Sequence, residues 1–186
     1  VIPTPAIACL VREMGADAGV MISASHNPFE YNGIKFFNRD GFKLDDDIED
    51  AIEDIIVRDI DVNSHITGER LGRCYKEEAE AQEIYSKHLK ETFEGSLAGY
   101  KVVLDCANGA AFSVAPKLFR ELGAEVVLVG HEPDGTNINA NCGSTHPGLL
   151  QETVLAHQAD IGLAFDGDAD RLIGVDEKGQ IIDGDK

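Results

Sequence analysis

The run Asp166-Gly167-Asp168-Ala169-Asp170-Arg171 follows an apolar stretch, Ile161-Gly162-Leu163-Ala164-Phe165, that has the length and composition of a buried strand. Carboxylates at i, i+2 and i+4 converge on one point when the chain curls, and three hard oxygen donors suit a divalent cation such as Mg²⁺. Asp and Gly also make ordinary turns, so a solvated turn before a hairpin is the competing interpretation. A helix-loop-helix calcium site is excluded, because position 6 of that pattern is Arg171 rather than Gly and no helix precedes the run. Two other chemistries stay open for the same residues. Asp166 as a phosphoryl acceptor would give an aspartyl-phosphate hydrolase. The three carboxylates holding a cation without group transfer would give a noncatalytic Mg²⁺- or phosphosugar-binding module.

A second polar loop, Ser23-Ala24-Ser25-His26-Asn27-Pro28, is also delivered by an apolar run, Ala18 to Ile22. Serine hydroxyls beside a histidine, in a turn held by Asn and Pro, can carry a nucleophile out of a sheet. Lys35 follows Ser25 in the facing extended segment, and its ammonium could orient a phosphate or transfer a proton. A third loop, Asn137 to Pro147, is dense in amides and hydroxyls and ends in His146-Pro147. It could bind a sugar, or its asparagines could hold the loop itself. His65, His88, His131 and His157 lack metal-ligand spacing and read as surface or half-buried residues.

The elements that carry these loops follow from periodicity. Thr4-Pro5 predicts an N-cap and first helical position, with Ile7, Leu10, Val11 and Met14 on one face. Ala18 to Ser23 predicts a strand. Gly33 to Phe37 and Phe42 to Leu44, around Asp40-Gly41, predict a β-hairpin. Ile48, Ala51, Ile52, Ile55 and Ile56 form a helical stripe behind an acidic start. Asp59 to Gly72 reads as polar and irregular, and Glu77 to Phe93 as a charged helix. From Lys101 the pattern becomes strand, helix, strand, long loop, helix and strand, ending in a hairpin over Leu172 to Val175 and Gln180 to Ile182. Such alternation implies a parallel, doubly wound sheet, with ligands at the carboxyl ends of its strands. The expected fold class is α/β: two doubly wound α/β/α domains with mixed or parallel sheets, both incomplete, residues 1–96 and 97–186.

The chain has 186 residues, 43% of them hydrophobic, enough for one large or two small cores without disulfides or a structural metal. Sixteen Lys and Arg against 34 Asp and Glu give a formal charge of −18, a field that repels nucleic acid and anionic membrane surfaces. Neither is an expected partner. Cys9, Cys74, Cys106 and Cys142 are scattered without a paired spacing, and the chain has no signal-peptide pattern or membrane-length apolar run. Reduced thiols and a cytoplasmic location are therefore expected. A start at Val1 and a stop at Lys186, just beyond Ile181-Ile182, suggest a piece of a longer protein.

Together the serine loop and the Asp166 to Arg171 loop, in this order, resemble the α-D-phosphohexomutase family over essentially the whole chain. Asp40 to Leu44, Asn137 to Asn139 and Cys142 to Pro147 look most like its bacterial hexosamine-phosphate branch. Members acting on mannose or glucose phosphates are the nearest alternative. The resemblance implies that Ser25 is carried as a phosphoserine and gives its phosphoryl group to a hexosamine monophosphate, making a 1,6-bisphosphate. It implies Mg²⁺ held by Asp166, Asp168, Asp170 and an oxygen of the Ser25 phosphate. Glucosamine 1,6-bisphosphate, or glucose 1,6-bisphosphate, would be the activator, and a phosphosugar the substrate. Lys35 and Arg171 would be proton-transfer or phosphate-orienting groups, and His26 would support the serine loop. The family has four domains, of which this chain matches part of the first and most of the second. The resemblance thus implies that these residues alone do not complete turnover, and leaves a homo-oligomer of the full-length protein open.

Overall fold

The computed structural model describes residues 1–62 and 66–184; His65 lies outside them. Helix α1 (Thr4–Glu13) forms where the apolar spacing places it. One face packs Val11 against Met21 and Phe37, and Ala6, Cys9 and Leu10 meet Tyr85 and Val114. Thr4 does not cap this helix, contrary to the expectation from Thr4-Pro5. Pro3 holds the N-cap position and Thr4 is the first helical residue. Its hydroxyl is engaged instead by a buried carboxylate, and a hydrogen bond to a charged acceptor is stronger than a neutral cap.

Strand β1 (Ala18–Ser23) pairs antiparallel with β2 (Gly33–Asn38), Met21 opposite Lys35 and Ser23 opposite Gly33. The turn at Asp40-Gly41 forms, but the strand expected after it makes only one bridge, Lys43 to Phe37, since β2 runs its long ladder with β1. Helix α2 (Asp46–Val57) begins with Asp46, Asp47 and Glu49, where acidic side chains suit the helix dipole. None of its residues is buried, and Ile48, Ile55 and Ile56 are exposed. Helix α3 (Glu78–Glu91) buries Tyr85 and Ser86 and packs against α1.

The remaining elements are β3 (Lys101–Asp105), α4 (Ala111–Glu121), β4 (Glu125–Val129), α5 (Gly148–His157), β5 (Ile161–Phe165), β6 (Leu172–Asp176) and β7 (Ile181–Ile182). They form a mixed sheet in the order β4-β3-β5-β6-β7. The first three strands are parallel, and β6 and β7 are antiparallel additions. Alternating residues of β3 face opposite layers, as a two-residue side-chain period requires. Val102 and Leu104 pack with Ala111 and Ala115 of α4, while Val103 packs with Leu150 and Val154 of α5. This is an α/β/α sandwich, and the chain passes from β4 across β3 to β5. Such a crossover opens a crevice at the carboxyl ends of β3 and β5. The four cysteines are free. Among the described residues, no helix is long and apolar enough to cross a membrane.

Candidate active site

Strand β5 ends at Phe165, inside that crevice, and the chain turns through Asp166 to Arg171 before β6 begins. The backbone N–H groups of Asp170 and Arg171 donate to Asp166 Oδ1 at 3.1 and 3.2 Å, curling the turn around its first carboxylate. The consequence is convergence: Asp166, Asp168 and Asp170 each offer a ligand atom within 4.8 Å of the others. Asp166 and Asp168 are fully buried. Asp166 Oδ2 and Asp168 Oδ1 are buried without a hydrogen-bond donor. Donor-free oxygens on buried carboxylates are costly unless a cation compensates them, so this set fits a hard divalent ion such as Mg²⁺.

The electrostatics are asymmetric. Burial, then the neighbouring Asp168 charge, raises Asp166 above the ordinary carboxylate range. Burial would raise Asp168 too, but hydrogen bonds from Lys35 and Thr4 outweigh it and hold Asp168 below that range. Lys35 reaches across from β2, its Nζ donating to Asp168 Oδ2 at 2.6 Å and Asp170 Oδ2 at 3.0 Å. Partial burial works against the ammonium, yet these two bonds raise Lys35 above its usual value. Arg171 sits further out and more exposed, with Nε 3.9 Å from Asp166 Oδ2 and 3.8 Å from Asp170 Oδ1.

The serine loop leaves β1 directly above this turn. Ser25 is half-buried in the left-handed region, at φ 53, and its N–H donates to Ser23 Oγ at 3.0 Å. Asn139 holds the loop from the other side, its Nδ2 donating to Ser25 O at 2.8 Å and Asn27 O at 2.9 Å. Gly167 allows the approach: a Cβ there would collide with Ser25 O. His26 is exposed and takes no part in these contacts.

Ser25, Lys35, Asp166, Asp168, Asp170 and Arg171 are therefore brought together, while His26 stands at the rim. Two functional residues were not evident from the sequence. Thr4 Oγ1 donates to Asp168 Oδ2 at 2.6 Å, and the Thr4 N–H donates to Asp168 O at 2.8 Å. Asn139 belongs to the loop considered above for sugar binding, but its amide is committed to the serine loop. The density of asparagine there was a usable signal, since Asn tolerates the left-handed backbone that Asn139 and Asn141 adopt. Asp105, at the end of β3, steadies the same loop by accepting from Ala107 N–H at 2.9 Å and Gly143 N–H at 2.6 Å.

Comparison with known proteins agrees with this geometry. Residues 1–62 match the model of phosphoglucomutase/phosphomannomutase α/β/α domain I, and residues 83–179 match that of domain II. The phosphoglucosamine mutase of Thermoanaerobacter sp. strain X514 is 60% identical over 185 residues, covering all of this chain but 41% of that protein. A crystal structure of a phosphoglucomutase/phosphomannomutase family protein from Burkholderia thailandensis is 31% identical with a TM-score of 0.73, over 98% of this chain and 40% of the other. The fold also matches Aspergillus fumigatus N-acetylphosphoglucosamine mutase, solved with GlcNAc-6P and magnesium. That match has 19% identity and a TM-score of 0.57, over 96% of this chain and 48% of that one.

Proposed function

Because this chain belongs to the phosphoglucomutase/phosphomannomutase family, we propose that it is the phosphoserine and cation-binding part of a longer phosphoglucosamine mutase. The activity is interconversion of glucosamine 6-phosphate and glucosamine 1-phosphate. The division of labour lies at residues 96 and 97, with the serine loop before it and the carboxylate loop after it. The observation that carries this reading is the packing of Ser25 onto Gly167, inside the turn where three carboxylates converge.

In the proposed reaction Ser25 starts as a phosphoserine. A free hydroxyl of the sugar monophosphate attacks phosphorus, the bond from phosphorus to Ser25 Oγ breaks, and the hydroxyl proton ends on Oγ. The product is a 1,6-bisphosphate. After the sugar turns over, Ser25 Oγ attacks the other phosphate and the proton returns to the sugar. Mg²⁺, held by Asp166, Asp168, Asp170 and a phosphoserine oxygen, would offset the phosphoryl charge. Lys35, bonded to Asp168 and Asp170, and Arg171 would be the proton-transfer or phosphate-orienting groups. His26, exposed at the rim and outside these contacts, is the group this reading draws on least. The bisphosphate of glucosamine, or of glucose, primes Ser25.

Incubation of the longer protein with Mg²⁺ and glucosamine 1,6-bisphosphate, followed by peptide mapping, tests the reading. One phosphoryl group on Ser25, lost in Ser25→Ala, is expected. A phosphoryl group on Asp166 would turn the reading to an aspartyl-phosphate hydrolase. No phosphorylation with retained Mg²⁺ binding would leave a noncatalytic binding module.

A further inference from the structure

Asp168 is held at both of its ends by one residue from the opposite end of the chain. The Thr4 N–H donates to its carbonyl at 2.8 Å and the Thr4 hydroxyl to its Oδ2 at 2.6 Å. Lys35 Nζ reaches the same Oδ2 at 2.6 Å. The two carboxylate oxygens are thereby made unequal. Oδ2 carries two donors, while Oδ1 is buried with none, in the same cluster as the donor-free Oδ2 of Asp166. A carboxylate free to rotate about its terminal bond would average these roles and meet a cation with either oxygen. Threonine prevents this with a short bond from a side chain that is itself only 5% exposed and fixed on the first turn of α1.

We propose that Thr4 is a positioning residue for the divalent cation, orienting Asp168 so that Oδ1 is presented to the ion. The inference rests on the cation reading of the Asp166 to Asp170 turn given above. Partners that orient a metal-bound group in this way typically contribute 10- to 100-fold in metal affinity. Lys35 cannot substitute, since it is bound to Asp170 as well and its pull is shared. The hydroxyl is the part that matters, because the backbone bond persists whatever side chain stands at position 4.

The test is calorimetric titration of the longer protein, phosphorylated at Ser25, with Mg²⁺, comparing the parent sequence with Thr4→Val and Thr4→Ser. The expected result is at least about 10-fold weaker binding in Thr4→Val and most of the affinity restored in Thr4→Ser. Melting without Mg²⁺ separates a structural effect, since a loss that merely followed instability would track the melting temperature across the variants. Should Thr4→Val not fold, Thr4→Ser and Thr4→Ala repeat the comparison without the γ-methyl, differing only in the hydroxyl. Equal Mg²⁺ affinity with and without that hydroxyl would overturn the inference alone. Absence of Mg²⁺ binding by the parent sequence would overturn the cation reading beneath it.

Discussion

Lys35 neutralises part of a cluster of three carboxylates, two of them fully buried. Replacing it by methionine keeps the stem and removes the charge, leaving Asp168 with Thr4 as its remaining side-chain donor of comparable strength. Lys35→Met should cost about 3 kcal/mol without divalent cations, the scale of a broken buried pair. Saturating Mg²⁺ should recover much of this loss, because it supplies positive charge at the same carboxylates; urea unfolding with and without Mg²⁺ measures both. The cysteines allow a second prediction. Burial pushes the thiols of Cys106 and Cys142 up to about 12 and about 11, from a usual 9.0. Iodoacetamide at mildly alkaline pH should therefore label exposed Cys74 and spare these two. Above pH 9 the unfolded chain releases thiol protons that the folded chain retains, so stability falls as pH rises. Cys106→Ser combined with Cys142→Ser should flatten that decline in unfolding measured across the alkaline range.

Loops rather than strands decide whether this site exists, and two of them touch with no room for a side chain. A Cβ at Gly109, just after β3, would run into the carbonyl of Gly167 and come within 2.6 Å of its Cα. Both neighbours are backbone, so Gly109→Ala should destabilise the protein by about 1–3 kcal/mol and lower its melting temperature. The Asn139 amide bridges the Ser25 and Asn27 carbonyls, so Asn139→Gly should accelerate amide hydrogen exchange across residues 24–27 while tolerating the left-handed backbone. What the sequence made legible follows from the same division. The strand and helix pattern from Lys101 onward was readable because each element writes its own apolar period. The carboxylates were readable because i, i+2, i+4 is a local spacing. Thr4 was misread because Thr-Pro carries a strong local cap signal, while its actual acceptor lies on a loop 164 residues away. For Asn139 sugar binding and support of its own loop both stay open in the sequence, and its actual acceptors, the Ser25 and Asn27 carbonyls, are hidden for a like reason. No periodicity records which two loops meet.

At the scale of the whole molecule, charge dominates. A formal −18 over 186 residues makes the folded state repel itself, so moderate salt should raise the melting temperature. Most of that gain should arrive below about 0.15 M, where the screening length has shrunk to about 8 Å. Mg²⁺ should exceed NaCl at matched ionic strength, because a bound ion adds its binding free energy to stability. Thermal scans across the two salts distinguish these contributions. The chain spans 41% of the length of the curated relative described above, and it presents Val20, Ile22 and Ile34 of the β1–β2 ribbon to solvent.

The hydrogen bond from Thr4 to Asp168 also sets an order of events during folding. Joining residues 164 positions apart costs about 4–5 kcal/mol in loop-closure entropy, unless intervening structure has already shortened the path. The β3 to β6 sheet provides that shortening, since its strands and crossover helices lie within one stretch of chain. Helix α1, although synthesised before that sheet, should therefore gain its final contacts late, after the sheet has formed. On a ribosome, the serine loop has to wait for the turn that receives it.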